Sequence, residues 1–87
     1  MYYVYIIYSG SAKKLYTGYS PDIKNRLSDH NFGLNQSTKY GKPWKLVWYC
    51  GFEHRQKAVN FEQYLKSGSG KAFLYKRLID EALKKDS

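Results

Sequence analysis

The sequence predicts a small α+β domain, a three-stranded antiparallel sheet flanked by helices in the order β-β-α-β-α-α, and three observations carry that prediction. The run "YYVYIIY", Tyr2 to Tyr8, is β-branched and aromatic throughout, with apolar bodies on both alternating faces. Such a strand belongs in the middle of a sheet. Two further short runs, Leu15 to Tyr19 and Trp44 to Cys50, have strand composition. Later segments repeat apolar residues at helical spacing instead, Ile23 with Leu27 and then Ala58, Phe61 and Leu65.

In chain order, the turn-rich "SGSAKK", Ser9 to Lys14, joins the first two strands as a hairpin. If that loop holds an even number of residues, Tyr5 and Tyr16 project from the same face, because strand side chains alternate with period two. Ser20-Pro21-Asp22 reads as a helix start, with Ser20 as the N-cap and Pro21 in the first helical position. That helix runs to about His30 and ends near Asn31 to Gly33. The polar "FGLNQSTKYGKP" that follows is long enough to be suspected of function. A second helix is expected over His54 to Lys66, closed by "SGSG", and a third from Lys71 to about Lys84. The expectation is one domain over residues 1–83 with a frayed tail, residues 84–87.

A chain of 87 residues has a thin core, burying about 60 to 65 % of the surface its unfolded form exposes. Ten Tyr, four Phe and two Trp offset this by their large area per residue. The single Cys50 excludes an internal disulfide, and with no His or Cys cluster it also excludes a closed structural zinc site. A reducing cytoplasm fits that cysteine usage. No apolar run reaches the roughly 20 residues of a membrane span, and the N-terminus lacks the pattern of a signal peptide. The formal charge of +8 and sequence pI near 9.6 point to a polyanionic partner, nucleic acid before an anionic membrane surface.

Ile23, Arg26, Leu27 and His30 share one face of the first helix. An Arg there must reach a partner, water or an anion, and its fork beside an apolar floor suits a phosphate as well as it suits snorkelling at the core edge. His30, near the helix end, has a plain alternative role in capping the last carbonyls. By composition Tyr5 and Tyr16, two of ten tyrosines, read as core aromatics before catalysts. Gly18 weakens its strand and marks a close approach, for which a phosphodiester is one candidate. On the second helix Ala58, Phe61, Glu62 and Leu65 share a face, so Glu62 is a carboxylate at an apolar margin. It is open to an ion pair with Arg26 or to a hard divalent ion such as Mg²⁺.

Taken in order, these residues resemble the GIY-YIG nuclease superfamily, in particular its small stand-alone bacterial members related to the catalytic domain of the excision-repair nuclease subunit. Tyr3-Val4-Tyr5 stands in the place of the GIY element and Tyr16-Thr17-Gly18 in that of YIG. Tyr5 and Tyr16 lie eleven positions apart, Arg26 follows Tyr16 by ten, and Glu62 sits in the later helix. "RLSDHN" and "EQYLKSGSGKAFL" are also similar to the stand-alone group, and the likeness spans Tyr2 to about Ile79. Tyr3 replaces the first Gly of the motif and Thr17 the Ile. After Gly18 this chain has Tyr19 and Ser20, where some branches carry a lysine.

The resemblance implies metal-dependent cleavage of phosphodiesters, in DNA rather than RNA, with Mg²⁺ or Mn²⁺ as cofactor. It would make Glu62 the metal ligand, Arg26 the clamp on the scissile phosphate, and Tyr5 and Tyr16 the pair that positions or deprotonates water. His30 would be an accessory proton relay or phosphate contact. Lys39, Lys42 and Lys45 are candidates to carry the flanking backbone, with Trp44 or Tyr40 stacking on an unpaired base. An ordinary solvated loop beside core aromatics is the plain alternative. Besides the nuclease, the sequence leaves open a non-catalytic nucleic-acid-binding module and a protein-interaction domain.

Overall fold

The computed structural model describes residues 1–79. Three antiparallel strands form the sheet, β1 (Tyr2–Ser9), β2 (Lys14–Ser20) and β3 (Trp44–Phe52), in the spatial order β2-β1-β3. The most apolar strand is therefore the central one, as its composition predicts. Helices α1 (Ile23–Asn31), α2 (Arg55–Lys66) and α3 (Gly68–Phe73) flank the sheet, and α3 passes into a π-helical turn, Leu74–Leu78. The expected tail, residues 84–87, and the end of the expected third helix lie outside the described residues.

The hairpin pairs Ser9 with Lys14, so its loop holds the even number that the Tyr5–Tyr16 argument needs. Tyr5 faces Gly18 across the ladder and Ile7 faces Tyr16, which puts all four on one face. Tyr5 and Ile7 pack there with Trp44, Tyr16, Ile23, Leu27 and Leu46, under α1. Val4 and Ile6 point the other way and pack with Ala58, Leu65, Leu74 and Ile79 from the later helices. A bulge lies between the Ile6–Trp48 and Ile7–Leu46 pairs, with Val47 the extra residue. Adjacent residues Val47 and Trp48 thereby both join the α2 side, while Leu46 stays on the α1 side.

The start of α1 differs from the sequence expectation. Its N-cap is Asp22, whose carboxylate accepts from the Asn25 backbone N–H, and the helix begins at Ile23. Ser20 ends β2, and its hydroxyl bonds the backbone of Asp22 as both acceptor and donor. Pro21 thus lies in the turn before the helix, where it needs no N–H partner. Ser67 serves two helices, as C-cap of α2 and N-cap of α3, where its hydroxyl accepts from Gly70 N–H. Gly70 is required there because a Cβ would overlap the Tyr64 carbonyl.

Candidate active site

The face beneath α1 carries a chain of buried hydrogen bonds. His30 is fully buried, with its Nε2 2.8 Å from the Tyr5 hydroxyl and its Nδ1 2.6 Å from the Thr38 hydroxyl. It lies edge-on to both the Tyr5 and Tyr16 rings, with centroids 5.9 and 5.2 Å away. His30 is therefore not a cap on the helix end: the last turn of α1 aims it at the sheet. Both partners are hydroxyls, each able to donate or accept, so either neutral tautomer satisfies both contacts; in one of them Nδ1–H donates to Thr38 and Nε2 accepts the Tyr5 O–H.

Thr38 was not legible as a site residue, and the loop that delivers it is built for the task. Asn31 at the end of α1 bonds both backbone groups of Trp44, tying the loop's far end to the helix. The Trp44 indole N–H donates to the Thr38 carbonyl at 2.8 Å. Gly41 lies against that indole, where a Cβ would overlap the ring. Trp44 is only 7 % exposed, so it is a core anchor and not the base-stacking platform that sequence reasoning allowed. The only sequence signal for Thr38 was the length of the polar loop around it.

Gly18 also changes meaning. A Cβ at this position would overlap the Tyr5 hydroxyl, so the close approach it permits is that of the Tyr5 side chain, not of a phosphodiester. Arg26 is exposed, reaching water at the margin of the α1 face instead of turning fully inward. Its charge still bears on the site. Burial first, and then Tyr16, raise the Tyr5 phenol above its ordinary value, with Glu62 and Asp29 adding to this and Arg26 opposing it. Burial and then Arg26 lower the His30 imidazole below its ordinary value, with Asp29 opposing. At neutral pH the pair is therefore a phenol and a neutral imidazole.

Glu62 comes to the same region from α2. Its carboxylate, 19 % exposed, pairs with Lys66 at 3.3 Å, not with Arg26. Lys66 Nζ also lies 5.5 Å from the centre of the Tyr16 ring. Among the described residues no group of three or more His, Cys, Asp or Glu gathers into a metal cage. A single hard carboxylate beside open water fits Mg²⁺ or Mn²⁺, which keep several waters and complete their shells with substrate phosphate oxygens. Lys42 and Lys45 are exposed and Lys39 partly so. Tyr40 is 87 % exposed with the Lys39 ammonium 4.9 Å from its ring centre. No helix among the described residues is long and apolar enough to cross a membrane.

The fold thus combines a three-stranded sheet carrying Tyr5 and Tyr16 on one face, an arginine at the rim and a glutamate from a later helix. The chain matches the GIY-YIG catalytic domain over residues 1–76 and belongs to that family. It is 37 % identical over 65 residues to a UPF0213 protein of Streptococcus pyogenes serotype M5, covering 74 % of this chain and 70 % of that protein. A UPF0213 protein of serotype M3 is 40 % identical over 55 residues, covering 62 % of this chain and 60 % of that one. The solution NMR structure of a UPF0213 protein from Bacillus halodurans superposes with a TM-score of 0.55 at 27 % identity, covering 98 % of this chain and 94 % of that one. The family is one of endonucleases, which generally use a divalent metal and act on nucleic acid.

Proposed function

We propose that this chain is a divalent-metal-dependent endonuclease that hydrolyses phosphodiester bonds in DNA. The observation that carries the reading is the buried hydrogen bond between Tyr5 and His30. An ordinary phenol with a pKa near 10 is a poor base at neutral pH, and this one is raised further. The pair removes the difficulty. Tyr5 accepts a proton from the attacking water as its own proton passes to His30 Nε2, so no free phenolate is needed at rest. The proton path uses the tautomer in which Nδ1–H donates to the Thr38 hydroxyl, 2.6 Å away, and Nε2 accepts.

Tyr16, on the same sheet face, orients the water for in-line attack. Arg26 at the rim meets the equatorial oxygens of the scissile phosphate, where a fork of donors stabilises the developing charge. Glu62 is the residue that would hold Mg²⁺ or Mn²⁺, which supplies Lewis-acid stabilisation of the leaving oxygen. Lys39, Lys42 and Lys45 carry the flanking backbone, and Tyr40 offers its ring to an unpaired base. DNA rather than RNA rests on the family resemblance, and action in a reducing cytoplasm on the lone Cys50.

The test is cleavage of labelled single-stranded, duplex and branched DNA and RNA with Mg²⁺, Mn²⁺ or EDTA. Wild type is compared with Glu62→Ala and Arg26→Ala. Metal-dependent cutting that both folded variants lose supports the reading and identifies the substrate. Tight, salt-sensitive binding with no cutting under any metal condition would replace it with a non-catalytic nucleic-acid-binding module.

A further inference from the structure

Lys66 occupies a position that the proposed chemistry does not use. It lies one helical turn beyond Glu62 on α2, with Nζ 3.3 Å from the Glu62 carboxylate and 5.5 Å from the centre of the Tyr16 ring. One ammonium thus neutralises the proposed metal ligand while lying over the aromatic ring of a proposed water-orienting residue. Beside it opens a cleft of about 260 Å³ along the edge strand β2, lined by three leucines and by Tyr16, Thr17, Lys66, Lys71 and Tyr75. The Lys66 side chain is 48 % exposed and borders both the carboxylate and the cleft. Two lysines at the wall of a groove that starts at Tyr16 suit a phosphate neighbouring the scissile one.

We propose that Lys66 is a displaceable counter-ion: it pairs with Glu62 until a divalent metal takes the carboxylate, and then turns into the adjoining cleft to bind a nucleic-acid phosphate with Lys71. This rests on Glu62 being the metal ligand. A divalent ion and an ammonium repel each other at one carboxylate, so metal loading releases the lysine. Phosphate in the cleft draws Lys66 off Glu62 and uncovers the metal ligand. Metal and nucleic acid therefore each promote binding of the other, and the coupling is reciprocal.

The test is titration of the intact chain with Mn²⁺ alone, read as loss of the free ion's electron paramagnetic resonance signal. Wild type is compared with Lys66→Gln, Lys66→Arg and Glu62→Gln. Lys66→Gln binds Mn²⁺ roughly 2- to 5-fold more tightly than wild type, the range expected for removing an exposed competing ion pair. Lys66→Arg, which keeps the charge, stays within about 2-fold of wild type. Thymidine 3′,5′-bisphosphate carries two phosphates and no internucleotide bond. After correction for its own affinity for Mn²⁺, it tightens Mn²⁺ binding in wild type and not in Lys66→Gln. Equal or weaker Mn²⁺ binding by Lys66→Gln overturns the proposal and makes the pair an ordinary helix-surface contact. Unchanged Mn²⁺ binding by Glu62→Gln overturns the metal-ligand reading itself, which separates the two failures.

Discussion

The two faces of β1 are built from alternate residues of one strand and end in opposite kinds of interior. Towards α2 and α3, Val4 and Ile6 meet Ala58, Leu65, Leu74 and Ile79, and the buried polar residue on that face is Thr17, across the ladder from Ile6. Towards α1, Tyr5 and Ile7 meet Trp44, and buried among them are the imidazole of His30 and the hydroxyl of Thr38. The difference follows from what covers each face. The later helices lay an aliphatic stripe on the sheet and bring no buried polar side chain of their own among the described residues. A nine-residue helix and a loop cover the other face, and each polar group carried inside must then find a partner. They do: among the described residues no buried side-chain nitrogen or oxygen lacks one. One face is packed chiefly by aliphatic side chains, and the other holds a buried hydrogen-bonded chain, Tyr5–His30–Thr38.

A large effect that tests this division is on the apolar face. Ile6 is fully buried, and Ile6→Ala is expected to destabilise the fold by about 2 to 5 kcal/mol through lost burial and a residual cavity. Tyr5→Phe keeps the ring and removes only the hydroxyl, leaving His30 Nε2 unpaired at a cost of about 1 to 3 kcal/mol. Urea unfolding of the two variants, beside their cleavage rates, is the measurement. The expected pattern is crossed, with Ile6→Ala losing more stability and Tyr5→Phe losing cleavage. Equal destabilisation with cleavage intact in Tyr5→Phe would make both faces mere core.

A second effect, smaller, sharpens the comparison through pH. Burial and the Arg26 charge set the folded pKa of His30 below its ordinary 6.5, so the unfolded chain binds the proton more readily than the folded one. The stability that depends on neutral His30 is therefore fully present above about pH 6.5 and is lost as pH falls through that value toward the folded pKa. The slope reaches at most about 1.4 kcal/mol per pH unit for one group. Unfolding of wild type and His30→Gln, compared between about pH 7.5 and 5.5 to cancel the carboxylates they share, should show this extra slope only in wild type. Parallel curves would mean that His30 is not held neutral by the fold.

What the sequence made legible divides along the same line. Strand composition and helical spacing depend on local chemistry, and they located the central strand, the hairpin, the antiparallel sheet and the helices around it. Parity alone put Tyr5 and Tyr16 on one face. The start of α1 was misplaced by two residues because Ser20 and Asp22 are both good caps, and strand pairing of Ser20 with Tyr3 decides between them. The polar network was harder to read. Helical spacing joined Arg26 and His30, yet one is exposed and the other fully buried, a distinction set by where α1 crosses the sheet. Thr38 and the true role of Trp44 were hidden because a loop has no period. Their positions depend on the Asn31–Trp44 and Trp44–Thr38 bonds, which only the folded chain brings together.

The smallest expected effect on folding tests whether the rim of the α1 face is a surface for ligand. Tyr40 is 87 % exposed and lines a cleft of about 210 Å³ that continues from Tyr16 and Trp44. Its ring touches little of the core, so Tyr40→Ala should change stability by no more than about 0.5 kcal/mol. A base stacked on that ring is worth about 1 to 3 kcal/mol, which is roughly a 5- to 150-fold loss of affinity for a short single-stranded oligonucleotide. Trp44→Ala is the informative contrast. Being buried and bonded to Thr38, it should destabilise the fold by about 3 to 5 kcal/mol and disturb the loop that holds His30. If Tyr40→Ala weakens binding at unchanged stability, the loop has two aromatic residues with separate tasks, one anchoring the proton path from within and one meeting the nucleic acid outside. If affinity stays the same, the exposed ring is ordinary surface and the stacking role proposed for Tyr40 falls.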